Sequence, residues 1–180
     1  RDLTTPPYGW PEDAVNGAIM ALFANGSIRV EREGKPLGGP KELVKTQIGR
    51  ARLIKEDEPP SVEERLAVRG FLVQAGVQYE QGDEGAAISG GLQRLLDSAE
   101  HSGGKPPLPE PPDTSYVTEL AGLVGNQRFR AVAENAEKLR FDLTQWSISA
   151  EARPQRESGW AKLQRLLEHG EGLDTTKEAR

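Results

Sequence analysis

Seven apolar residues, Phe129, Val132, Ala136, Leu139, Leu143, Trp146 and Ala150, follow one another at alternating spacings of three and four. That rhythm keeps all of them on one stripe of an α-helix, the seam along which helices pack. The stripe calls for a partner helix. The segment 114–170 is therefore expected to form a helical hairpin or bundle, with Phe129, Val132, Leu139, Leu143 and Trp146 as its helix–helix contacts. Arg153-Pro154 is expected to interrupt the long helix, because proline lacks the N–H that the ladder needs. Trp160, Leu163, Leu166 and Leu167 then begin a second apolar stripe able to fold back on the first. Residues 171–180 read as a tail.

The N-terminal part has a different punctuation. Pro6-Pro7-Tyr8-Gly9-Trp10-Pro11 leads into Val15, Ala18, Ile19, Leu22 and Phe23 at helical spacing, and Asn25-Gly26 supplies a left-handed cap. The spacing predicts a helix over 12–25. Ile28 and Val30 then alternate as in a strand, Glu33-Gly34-Lys35 reads as a hairpin turn, 41–47 as a helical turn and 51–55 as a further strand. Helix, paired strands and a basic turn predict a winged-helix-like unit. Ser61 with Glu64 is a capping-box signature before Leu66, Val68, Phe71 and Leu72, and Gly76 is expected to end that helix. A further helix carries Ile88, Leu92 and Leu95; its Gly90-Gly91 pair implies close packing against a neighbour. Past a Pro/Gly-rich stretch, a short helix around Val117 and Leu120 stops at Gly125, and Asn126 is expected to cap the next. The fold class is mainly α (α+β), divided into an α+β domain over 1–101, a Pro/Gly-rich linker over 102–113, a helical, coiled-coil-like domain over 114–170 and the tail.

Chemistry-bearing signals are few. There is no cysteine, which excludes disulfides and thiolate metal sites. No apolar run approaches the roughly 20 residues of a membrane helix, and no leader pattern is present, so a cytoplasmic setting is expected. Gly103-Gly104-Lys105 lacks the spacing of a phosphate-binding loop and belongs to the proline-rich stretch. His101 and His169 sit at predicted helix ends, where an imidazolium meets the negative end of the dipole. No serine lies in a nucleophile elbow, and the pairs Glu31/Glu33 and Glu63/Glu64 read as solvated faces. Asn25-Gly26-Ser27 fits a glycosylation sequon, but the helix cap explains it. No enzyme, metal site, cofactor or small-molecule substrate is expected of this segment.

Charge gives one functional candidate. The net charge is −5, which gives no global attraction to nucleic acid or anionic membranes. Yet Lys35, Lys41, Lys45, Arg50, Arg52 and Lys55 stand against the single acid Glu42, whereas the stretch from Ser61 to Gly104 is acidic. A basic hairpin can track a phosphate backbone without reading sequence, so duplex DNA is a candidate partner of these six residues.

A resemblance adds a setting. Pro6-Pro7-Tyr8-Gly9-Trp10-Pro11 with Asp13-Ala14, Thr46-Gln47-Ile48-Gly49, Ser61-Val62, Arg65-Leu66-Ala67-Val68-Arg69, Gly103-Gly104 with Pro107-Leu108-Pro109, Leu120 to Asn126 and the Trp160 helix together resemble the C-terminal region of the large P-loop ATPase of BREX bacteriophage-defence systems, the BrxC/PglY type. The likeness runs roughly from Leu3 to Gly170. It implies a bacterial cytoplasmic ATPase, with ATP and Mg bound far upstream of this segment, that works beside a DNA methyltransferase. With its opening at Arg1 and a single methionine, Met20, the chain is expected to be a piece of that longer protein. Under the resemblance it is a non-catalytic assembly module that contacts other BREX components or a second copy of its parent, and the alternative is the DNA-contacting wing.

Overall fold

Pro11, with Glu12 and Asp13 behind it, opens helix α1 (Glu12–Asn25), where the two acids face the positive end of the helix dipole. Gly26 closes the helix in the left-handed conformation (φ 81°), and the Gly26 and Ser27 N–H groups donate to Phe23 and Leu22. This is the cap that Asn25-Gly26 predicts. The computed structural model describes residues 3–171, and the chain is mainly helical with one small antiparallel sheet.

Strand β1 (Ile28–Arg32) lies at the centre of that sheet, between β2 (Lys35–Pro36) and β3 (Arg52–Lys55). Glu33 and Gly34 both take positive φ (52° and 78°), the conformation of a type I′ hairpin turn, and so Arg32 pairs with Lys35. Two 3-10 turns, Pro40–Glu42 and Lys45–Arg50, fill the route from β2 to β3. Val30, Leu43 and Ile48 form a small core with Ile19, Met20, Phe23 and Leu37 packed against it.

Helix α2 (Val62–Gln74) begins in a complete capping box. The Glu64 N–H donates to the Ser61 hydroxyl at 3.1 Å, and the Ser61 N–H donates to the Glu64 carboxylate at 2.6 Å. Gly76, at φ 65°, ends it, with the Val77 N–H returning to Leu72. In α3 (Glu84–Ser102), a Cβ on Gly91 would stand 2.7 Å from Phe71 Cε1, so this glycine is what lets α3 approach α2. The same atom on Gly90 would meet Val77 at an ordinary 3.7 Å.

The later helices depart from expectation in three places. The short helix α4 (Ser115–Gly122) is present, but Asn126 does not cap the next one. Val124 holds that position, Gly125 turns the chain at φ 58°, and helix α5 runs over Gly125–Glu134. The single long helix is divided at Asn135, whose side-chain amide donates to the Ala131 carbonyl at 2.8 Å and competes with the ladder there. Pro154, by contrast, does not interrupt: α6 runs unbroken over Ala136–Glu171. The Arg153–Glu157 ion pair, 2.9 Å long and one turn apart, spans the proline. The second apolar stripe therefore continues the same helix instead of starting a new one. The tail expected at 171–180 lies, beyond Glu171, outside the described residues.

The chain divides into two compact units, Arg1–Arg94 with Ser115–Arg140 and Leu95–Thr114 with Phe141–Arg180. This differs from a cut at the Pro/Gly-rich stretch, because α3 and α6 each contribute to both units. The stretch itself is ordered by its own bonds: the Gly104 N–H donates to Pro109 and the Leu108 N–H to Lys105. Gly103 is tight against it, since a Cβ there would lie 2.6 Å from Pro111 Cα.

Candidate functional site

The six basic residues of 35–55 are spread over β2, the two 3-10 turns and β3. Lys35 pairs with Arg32 at the hairpin end of β1, whereas Lys55 pairs with Ile28 at the other end. Arg32 and Ile28 are four residue steps apart, about 13 Å along β1, and Lys35 and Lys55 stand on opposite sides of that strand. Three of the six meet acids. Lys41 pairs with Glu80 and lies 4.0 Å from Asp83, Lys45 lies 3.5 Å from Asp13, and Arg52 lies 3.6 Å from Glu31. Only Lys35, Arg50 and Lys55 make no ion pair among the described residues. The local excess of positive charge read along the chain is thus largely matched once Asp13, Glu31 and Glu80 fold against it.

The seam residues meet the opposite fate. Phe129, Val132, Leu139 and Leu143 are buried, and Trp146 is half-buried. Phe129 and Val132 lie on α5, which packs on α2. The first part of the stripe is accordingly core of this chain. Farther along α6, every residue from Pro154 to His169 is exposed. Trp160, Leu163, Leu166 and Leu167 lie in that stretch, with the three leucines each more than half exposed. At about 100° per residue, the four side chains fall within an arc of about 120°, a one-sided apolar stripe.

A third feature carries no signature in the sequence. Within the first unit, a cleft of about 350 Å³ opens between the α1–β1 turn, the loop after β2, the first turns of α3 and the start of α5. Gly38 makes the loop fit, because a Cβ there would lie 2.9 Å from Ala86 Cα of α3. Asn126, buried on α5, ties the far wall down: its side-chain amide donates to the Gly26 carbonyl at 2.7 Å and to the Glu58 carbonyl at 2.5 Å. These bonds reach 100 and 68 residues back, which is why Asn126 serves here and not as a local cap.

Glu84 is the charged centre of this unit. Its carboxylate is almost wholly buried and accepts from Arg69 Nε at 2.8 Å, Arg65 Nη1 at 3.4 Å and the Gly82 N–H at 3.2 Å. Burial opposes its ionisation, but the bonds from Arg69 and from the backbone N–H groups of Glu84 and Gly82, with the charge of Arg69, hold the carboxyl below the usual glutamate range. At neighbouring Asp83, burial dominates over the attraction of Lys41, and repulsion from Glu80, Glu42 and Glu84 adds to it, so that carboxyl is raised. Arg65 also donates to the Asn25 carbonyl at 2.9 Å and stands 5.9 Å from the centroid of the Phe129 ring. Arg29 is held by Glu31 at 3.4 Å and Glu56 at 3.3 Å, while its Nε is buried with no acceptor.

Among the described residues, no group of three or more His, Asp or Glu stands where it could hold a metal ion. His101 and His169 fall in the last turns of α3 and α6, and His101 Nδ1 lies 2.6 Å from the Asp97 carbonyl. No helix among the described residues is long and apolar enough to cross a membrane. Comparison with protein-family models, with curated proteins and with solved structures found no match.

Proposed function

We propose that this chain is a non-catalytic protein-interaction module, and that the C-terminal half of α6 is the element that docks. The observation that carries the reading is the stretch from Pro154 to His169, exposed along its whole length, with Trp160, Leu163, Leu166 and Leu167 on one face. No described residue covers the stripe along this part of α6, so its apolar area is open to a partner. Burying the area that these four side chains still expose offers roughly 3–6 kcal/mol before the costs of association. The stripe has the width of a helix–helix seam, and the occupant is an amphipathic helix of a protein partner. In the setting that the BREX resemblance implies, this is an assembly contact of the defence ATPase with another component.

Photocrosslinking from position 163 in cells that contain the parent system tests this reading. The expected result is a crosslinked protein that disappears when Trp160 and Leu167 are changed to glutamine. A second copy as the captured chain would redirect the reading to self-assembly, and light scattering would then show a dimer. No crosslinked product, with a monomer in light scattering, ends it. Direct DNA contact ranks below, since it rests on Lys35, Arg50 and Lys55 alone. That alternative expects duplex binding at low salt that weakens with charge reversal at those three positions.

A further inference from the structure

Arg128 is the feature that the preceding reading leaves unused. It lies on α5 at the wall of the cleft in the first unit, and its guanidinium is fixed by two bonds: Nη1 donates to the Ser89 hydroxyl at 3.1 Å and Nη2 to the Gly85 carbonyl at 3.3 Å. Both partners are neutral. Among the described residues, no carboxylate stands within ion-pair distance of it. Of the five N–H donors on a guanidinium, three are left without an acceptor among the described residues.

The acids of the cleft are occupied elsewhere. Glu84 is shared between Arg65 and Arg69, and Glu56 accepts from Arg29 and from the Asn126 N–H at 3.4 Å. Glu42, exposed at the rim, accepts the Gly38 N–H at 3.2 Å. Arg128 is half-buried, and that partial burial pulls it below the usual arginine value. A cation held in place on a cleft wall by neutral partners, without a counter-charge of its own, is free to meet an anion there. The rest of the wall supplies apolar surface from Ile28, Leu37, Ile88 and Phe129, and the cavity has the size of a small-molecule site.

We propose that this cleft is a binding site for a small oxyanion-bearing ligand, with Arg128 as its ionic contact and the apolar wall as the seat of the ligand body. The oxyanion is a carboxylate or a phosphate, both of which match the guanidinium fork. The proposal is independent of the docking helix, which lies in the other unit.

The test uses inorganic phosphate and benzoate as probes, each titrated against the full chain at constant ionic strength with chloride as control. Arginine Nε–H resonances and the Gly85 and Ser89 amides report binding. Saturable shifts at Arg128 and at those amides, with one of the two probes and not with chloride, are expected. The effective probe identifies the oxyanion class, and Arg128→Gln is expected to weaken its binding roughly tenfold or more. As a readout that needs no variant, the same probe should protect Arg128 from phenylglyoxal, while exposed Arg156 stays reactive. Linear shifts equal to those in chloride, unchanged binding in a folded Arg128→Gln protein, or no protection of Arg128 would each overturn the site.

Discussion

The two halves of α6 use the same kind of side chain at the same kind of spacing and meet opposite surroundings. In the first, Ala136, Leu139 and Leu143 are buried; in the second, Leu163, Leu166 and Leu167 are each more than half exposed. Periodicity records which face of a helix is apolar and nothing about what covers it. The first stripe is satisfied by its own chain and belongs to stability. The second is unsatisfied, and there an interaction can be sought.

A matched pair of truncations puts the greatest strain on this comparison. Leu139→Ala should cost about 2–5 kcal/mol in urea denaturation, the range for a fully buried leucine. Leu163→Ala should stay within about 0.5 kcal/mol for the isolated chain and act only on partner capture. Similar losses at both sites would mean that the C-terminal half of α6 is core after all.

Charges sharpen the same contrast. Glu84 is enclosed by Arg65 and Arg69, whereas Arg153–Glu157 sits on the exposed face. Glu84→Gln should cost about 2 kcal/mol, less than a fully enclosed pair because both arginines keep some contact with water. Glu157→Gln should cost under about 0.5 kcal/mol. The pH dependence follows from the depressed carboxyl of Glu84. Its contribution is fully present above the unfolded-state value of about 4.3 and is lost as pH falls through the lower folded value. In urea titrations below pH 4.3, wild type should therefore lose part of its advantage over Glu84→Gln. A constant gap between the two proteins down to pH 2 would contradict the assignment.

Legibility in the sequence follows the range of the bonds that decide each element. Gly26, Gly76 and the Ser61–Glu64 box end or begin helices through partners within a few residues, and each is placed by reading neighbours. The hairpin at Glu33-Gly34 belongs with them. Asn126 looks like a local cap, but its amide is claimed by Gly26 and Glu58 through bonds that exist only after folding. Pro154 looks like a stop, yet nothing packs there to demand a turn, and the chain continues as helix. The acid partners of the basic stretch are hidden for the same reason as those of Asn126, because Asp13, Glu31 and Glu80 come from outside it. The cleft has no linear trace, since five separate stretches of the chain build it.

The glycine pair in α3 gives the smallest effect and the finest discrimination. Alanine favours a helix over glycine by up to about 1 kcal/mol at either position. At Gly90 the added methyl meets Val77 at 3.7 Å, so Gly90→Ala should raise stability by up to that amount. At Gly91 it would lie 2.7 Å from Phe71 Cε1 and 3.1 Å from Leu72 Cδ2, both on buried side chains without room to give way. An overpacking cost of about 1–3 kcal/mol should outweigh the propensity gain, leaving Gly91→Ala destabilised by about 1 kcal/mol. Opposite signs for neighbouring glycines in one denaturation series would show that the contact between α2 and α3, and not helix propensity, sets this part of the fold. Equal gains at both would mean that Phe71 can move aside.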